Sequence, residues 1–241
     1  MTSPATAVVA IDGPSGSGKS SVSRGVAREL GLRYLDTGSM YRAITWAVLR
    51  DGVDVHDAEA VAATARSARL DWSTDPDESA ITVDGADVAR AIREEAVTSS
   101  VSAVAAEPRT REVLVGLQRR AVANALAAGQ GIVVEGRDIG SVVLPDADLK
   151  VWLVADPAVR AARRASEDVA AGRLAVADPA VADPALDAVA ADLARRDALD
   201  AARAASPTTQ ADDAVVVDAT DLGLAEVIDT VVRLVRERTS A

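Results

Sequence analysis

Gly13-Pro14-Ser15-Gly16-Ser17-Gly18-Lys19-Ser20 fits the spacing G-x-x-x-x-G-K-[ST], between the apolar run Ala7-Val8-Val9-Ala10-Ile11 and a helical pattern. In that strand–loop–helix setting the spacing has a mechanism. Glycines let the loop turn tightly enough for successive backbone N–H groups to converge on one phosphate, and the following helix adds the positive end of its dipole. Lys19 has the length to reach β- and γ-phosphates, and the hydroxyl of Ser20 or Ser21 can help place Mg²⁺. The chain is expected to hold a nucleoside triphosphate.

A second set of charged residues gathers where other elements end. Asp36-Thr37-Gly38-Ser39-Met40-Tyr41-Arg42 follows one short apolar stretch, Gly136-Arg137-Asp138 leaves another, and Arg109 and Arg111 open a helix. Arg160, Arg163 and Arg164 form a further group, followed by Arg195-Arg196-Asp197, Asp200 and Arg203. The first two sets lie at the carboxyl edge of their strands, where ligands sit in open α/β sheets. Solvated helix faces making i,i+4 ion pairs are the competing reading for the arginine groups. That reading is weakest for Arg137, because a charged pair directly after a buried strand has few structural uses. Several arginines aimed at one edge suit phosphoryl transfer between two phosphorylated substrates, where negative charge must be gathered and spread.

The elements that must position these groups alternate in type. Val22, Val26 and Leu30 share a helix face closed by Gly31, and Leu32-Arg33-Tyr34-Leu35 predicts a second strand. Helices are expected over about 38–49 and 57–69. Short strands over 70–72, 80–83 and 86–88, with Asp84-Gly85 as a hairpin signal, predict a small β-containing insert at 63–95. Helices over 90–105 and 108–128 follow, then strands over 131–135, 150–155 and 214–218. Leu224, Val227, Ile228, Val231 and Val235 mark the apolar face of a last helix. This order predicts one α/β P-loop domain over 1–241, a doubly wound, five-stranded parallel sheet with helices on both faces. Ala177-Asp178-Pro179-Ala180-Val181 is nearly repeated by Ala182-Asp183-Pro184-Ala185-Leu186 and reads as a loop insertion.

Composition narrows the partners. With 241 residues, 49% of them hydrophobic, the chain can bury one α/β core. A net charge of −11 argues against non-specific nucleic-acid binding. The lack of cysteine excludes disulfides and thiolate metal sites, and no apolar run approaches the ~20 residues that span a bilayer. The chain is expected to be soluble and cytoplasmic. His56, the run Asp75-Pro76-Asp77-Glu78, and Trp46, Trp72 and Trp152 read as surface or packing residues.

The glycine loop, Asp36–Arg42, Gly136-Arg137-Asp138-Ile139-Gly140-Ser141-Val142-Val143 and Arg196-Asp197-x-x-Asp200-x-x-Arg203 together resemble the bacterial cytidylate kinases, in family order over residues 7–236. The resemblance implies transfer from ATP, with Mg²⁺, to CMP and dCMP by a monomer that has no nucleic-acid or membrane partner. It implies that Thr37 and Arg42 hold the monophosphate, that Ser102 and Arg111 read the cytosine edge, and that Arg137 meets the acceptor phosphate with Asp138 near the exocyclic amine. Asp200 and Arg203, with Arg196 beside them, would hold the ribose and phosphate. The insert at 63–95 would be the monophosphate-binding subdomain. Residues 157–187 would form the lid and its low-complexity extension, with Arg160 and Arg164 joining Lys19 and Arg137 in catalysis.

Those roles are chemically coherent. Cytosine offers an N4 donor beside N3 and O2 acceptors, which a carboxylate with an arginine or hydroxyl can read. Uracil would set O4 against Asp138, a mismatch costing about 1–3 kcal/mol. Ser20 stands where many nucleoside monophosphate kinases have Gly, which leaves Ser20 and Ser21 as alternatives on the Mg²⁺ side. A small P-loop kinase acting on UMP, AMP or shikimate is the competing enzyme. A nucleotide-binding switch is the competing non-enzyme, although the chain has no Asn/Thr-Lys-x-Asp guanine motif and no Ser-Gly-Gly signature.

Overall fold

The computed structural model describes residues 3–170, 184–203 and 208–240. The chain begins β1 (Val8–Asp12), α1 (Lys19–Leu30), β2 (Arg33–Asp36), α2 (Thr37–Arg50), α3 (Ala58–Ser67). Three short strands follow, β3 (Leu70–Trp72), β4 (Ile81–Val83) and β5 (Ala86–Asp87), then α4 (Glu95–Ala106) and α5 (Pro108–Ala127). The remainder is β6 (Ile132–Gly136), β7 (Leu149–Val154), α6 (Pro157–Ala170), α7 (Pro184–Ala201), β8 (Val215–Asp218) and α8 (Leu224–Ser240).

Period-two alternation explains why β1 and β6 are apolar almost to their carboxyl ends. Val9, Ile11, Tyr34 and Val133 point to one face, where Val22, Val26 and Ala27 of α1 and Val227, Val231 and Val235 of α8 cover them. Ala10, Leu35, Ile132 and Val134 point to the other, under α2, α4 and α5. A strand buried on both faces has no room for an alternating polar residue. The result is a five-stranded parallel sheet in the order β2-β6-β1-β7-β8, with helices on both sides.

The three-stranded antiparallel sheet β3-β4-β5 falls where the β-containing insert is expected. Its hairpin turns through Asp84 (φ 53) and Gly85 (φ 84), the left-handed pair that a tight two-residue turn demands. Leu70, Ile81 and Val83 enter the same apolar cluster as α2, so the insert shares the core beneath it.

Two local features differ from the sequence expectation. The helix predicted over 90–105 is broken: Ala91–Arg93 forms a short 3-10 turn, Glu94 is extended, and α4 starts at Glu95. The break leaves Ile92 O free to accept from Arg42 and lets Arg93 reach Asp36. The strand over Ile132–Gly136 is followed by a π-helical turn, Ile139–Val143, which residue pattern does not signal. Of the near-repeat at 177–186, residues 177–183 lie outside the described residues. No helix among the described residues is long and apolar enough to cross a membrane.

Candidate active site

Close packing shapes the glycine loop. Gly13 has φ +149, and a Cβ there would lie 2.1 Å from the Leu153 carbonyl oxygen, so β7 presses directly on the loop. Gly18, at φ +94, precedes α1 and no side chain caps the helix, which leaves the first-turn N–H groups available to an anion. Lys19 lies buried and its Nζ donates to Pro14 O at 2.6 Å. Burial and the nearby Arg137 push its pKa down, and a bound triphosphate would supply the countercharge.

Glu135 ends the apolar run of β6 with a fully buried carboxylate. It accepts from Tyr34 Oη and, at 3.0 Å, from Ser20 Oγ. Burial, followed by the charge of Asp36, pushes its pKa up. Thr37 Oγ1 donates to its backbone oxygen at 2.7 Å, which joins the start of α2 to the end of β6.

The arginines line the same cleft as Lys19, and Arg137 is near enough to act on it. Arg111 and Asp138 form an ion pair with both side chains almost fully buried, and the guanidinium lies 5.3 Å from the Tyr41 ring centroid. Asp200 accepts from Arg137 Nε at 3.3 Å, from Ser102 Oγ at 3.5 Å and from Arg203. Arg42 is buried against neutral oxygens, Ile92 O at 3.1 Å and Thr98 Oγ1 at 2.8 Å. Burial and the neighbouring Arg196 pull its pKa down to about 9. Arg196 Nε and Arg203 Nε are buried and have no hydrogen-bond partner among the described residues. Buried guanidinium donors left unpaired are costly, whereas an anion bound beside them would complete them.

Thr37, Arg42, Ser102, Arg111, Arg137, Asp138, Arg196, Asp200 and Arg203 all line one cleft with Ser15, Gly16, Gly18, Lys19, Ser20 and Ser21. Arg164 joins them, paired with Asp168 at 3.2 Å. Arg160 does not line the cleft. Its guanidinium bonds Asp197 and Ser15 O at the tip of the glycine loop. Neighbouring Arg163 donates to Ser17 O at 3.4 Å and Ala219 O at 2.7 Å.

Three groups escape the sequence reading. Arg93 enters the cleft through the break before α4, and nothing in the local pattern marks it. Glu135 carries one usable signal, a charge at the end of a buried apolar run. Asp12, at the end of β1, accepts backbone N–H groups from Ile139 at 2.8 Å and Gly140 at 2.7 Å, which pins the turn behind Arg137 and Asp138. Burial raises its pKa to about 6.

The family profile described as Cytidylate kinase matches residues 9–237. A cytidylate kinase of Streptomyces avermitilis is 51% identical over 234 residues, covering 97% of this chain and 94% of that one. One from Mycolicibacterium paratuberculosis is 52% identical over 233 residues, covering 96% of each chain. The match runs through every segment that builds the cleft, and the protein belongs to the cytidylate kinase family.

Proposed function

We propose that this chain transfers the γ-phosphoryl group of ATP to CMP and dCMP, giving ADP and CDP or dCDP. The observation that carries the reading is one cleft lined both by Lys19 with the glycine loop and by the buried Arg111–Asp138 pair. An oxygen of the acceptor phosphate attacks the γ-phosphorus in line, and the bond to the β,γ-bridging oxygen breaks as ADP leaves. That phosphate is largely dianionic near neutral pH, so no side chain serves as nucleophile or strong base. Lys19 and the loop N–H groups hold the donor phosphates. Arg137, with Arg42, Arg196 and Arg203, gathers the acceptor phosphate, and Thr37 and Asp200 orient that end. Arg164 approaches from α6, whereas the placement of Arg160 supports a role through the loop.

Asp138 is set to accept from the cytosine N4 amine while Arg111 and Ser102 donate to its acceptors. Mg²⁺ fits as a metal held by phosphate oxygens and water, since no cluster of three metal-ligating side chains occurs among the described residues. Of the two hydroxyls, the Ser20 bond to Glu135 supports Ser20 as the one beside it. Bound there, the metal would offset charge on the transferring phosphates. The same reading takes the enzyme as a cytoplasmic monomer. ADP release measured with Mg·ATP and CMP, dCMP, UMP, AMP, GMP or shikimate tests it. Turnover confined to CMP and dCMP is expected, and turnover with another acceptor alone would overturn the base assignment.

A further inference from the structure

Ser15 is nearly fully buried at the tip of the glycine loop, and all three of its polar groups are taken by residues from distant parts of the chain. Its N–H donates to Asp197 Oδ1 at 3.0 Å, and its carbonyl accepts from Arg160 Nη1 at 3.0 Å. Its hydroxyl accepts from Arg137 Nη2 at 3.2 Å. The second oxygen of Asp197 takes Arg160, so that carboxylate ties α7 to both the loop tip and α6. One helical turn on, Asp200 holds the other side of Arg137. The next loop residue, Gly16, has φ +76, and a Cβ there would lie 3.0 Å from Arg160 O. The loop tip therefore cannot shift alone: α6, α7 and Arg137 are bonded to it or packed on it.

We propose that Ser15 and Asp197 are positioning residues that couple ATP in the glycine loop to CMP in the same cleft. The proposal rests on the reading that Arg137 meets the acceptor phosphate. A triphosphate wrapped by the loop fixes the place of Ser15, and Ser15 fixes the guanidinium that the acceptor must find. Asp197 holds the loop tip in the conformation that presents this hydroxyl. The two substrates then bind with positive coupling, and linkage requires the coupling to be equal in both directions.

The test is calorimetric titration of CMP into the full-length enzyme with and without Mg²⁺ and the β,γ-imido analogue of ATP. In the wild type the analogue is expected to tighten CMP by about tenfold. Ser15→Ala removes one hydroxyl and leaves the loop N–H and C=O in place. Asp197→Asn keeps an oxygen for the Ser15 N–H but presents no carboxylate to Arg160. Each is expected to cut the coupling to about twofold or less, because Ser15→Ala removes the bond to Arg137 and Asp197→Asn removes the ion pair to Arg160 that holds the loop tip in place. A purely structural role would lower the melting temperature and leave the coupling factor alone, so melting is measured alongside. A wild type without coupling overturns the proposal, as does either folded variant that keeps the wild-type factor. Arg137→Ala separates the two levels of the argument: undiminished turnover in that variant removes the acceptor-phosphate reading itself. Lost turnover there, with intact coupling in Ser15→Ala, removes only the role of the loop tip.

Discussion

Arg137 and Asp138 are adjacent in the chain yet face different partners, Asp200 with Ser15 for the first and Arg111 for the second. Under the proposed function, that divergence would let one strand end serve both phosphate and base. Arg137→Ala is expected to lower kcat about 10²–10³-fold, the scale of losing one charged donor at a transferring group, while the Kd of ATP stays within about threefold. Steady-state kinetics with a separate ATP titration checks both numbers. Asp138→Ala is expected to lower the CMP/UMP ratio of kcat/KM about tenfold or more, since a reader matched to the N4 donor is lost. It also leaves Arg111 buried without its carboxylate, costing about 3 kcal/mol of stability. A constant CMP/UMP ratio in an otherwise folded variant would remove Asp138 from base reading.

At the scale of elements, the end of β1 positions the end of β6. The Asp12 carboxylate uses both oxygens on the turn that carries Arg137 and Asp138. Asn offers only one oxygen there and sets its amide against the second N–H, so Asp12→Asn is expected to destabilise the fold and raise KM for CMP. The sign with pH follows from burial. Asp12 is raised from its ordinary 3.8 to about 6 in the folded chain. Its contribution to stability is therefore largest below pH ~4 and is lost as pH rises through ~6. Between pH 5 and 7 the wild type loses about 1 kcal/mol that the variant does not, so the variant's deficit narrows by that amount. Denaturant titrations of both proteins at the two pH values read it directly. A deficit that widens with pH contradicts the buried-carboxylate account.

Across the whole molecule, charge is segregated. The chain carries a net −11, yet seven arginines and Lys19 line the cleft against five carboxylates. An acidic exterior around a basic cleft repels polyanions at a distance and attracts small phosphorylated substrates close in. Raising NaCl from about 50 to 500 mM shortens the Debye length from about 14 to 4 Å, so KM for CMP is expected to rise several-fold. The kcat should change less, because the transfer itself occurs among buried groups. A salt-independent KM would place the attraction in contacts rather than in the field.

The sequence by itself determined the repeating strand–helix order and the glycine loop, while the proposed CMP contacts were named by the resemblance of its motifs to a family. Those signals are local: apolar alternation, glycines where φ must be positive, and charges placed directly after buried strands. Asp84-Gly85 declares a turn through its own residue types. Only tertiary structure decided which distant groups meet. Asp12 with the turn after β6, Arg93 with Asp36, and Ser15 with Asp197 are separated by 57 to 182 positions, and no local pattern encodes them. Arg160 shows the same limit: its place in a helical arginine group suggests the cleft, but packing of α6 on Gly16 turns it to the loop tip. Chain pattern specifies which face of an element is buried, whereas the partner of a charged end is chosen by how the elements stack.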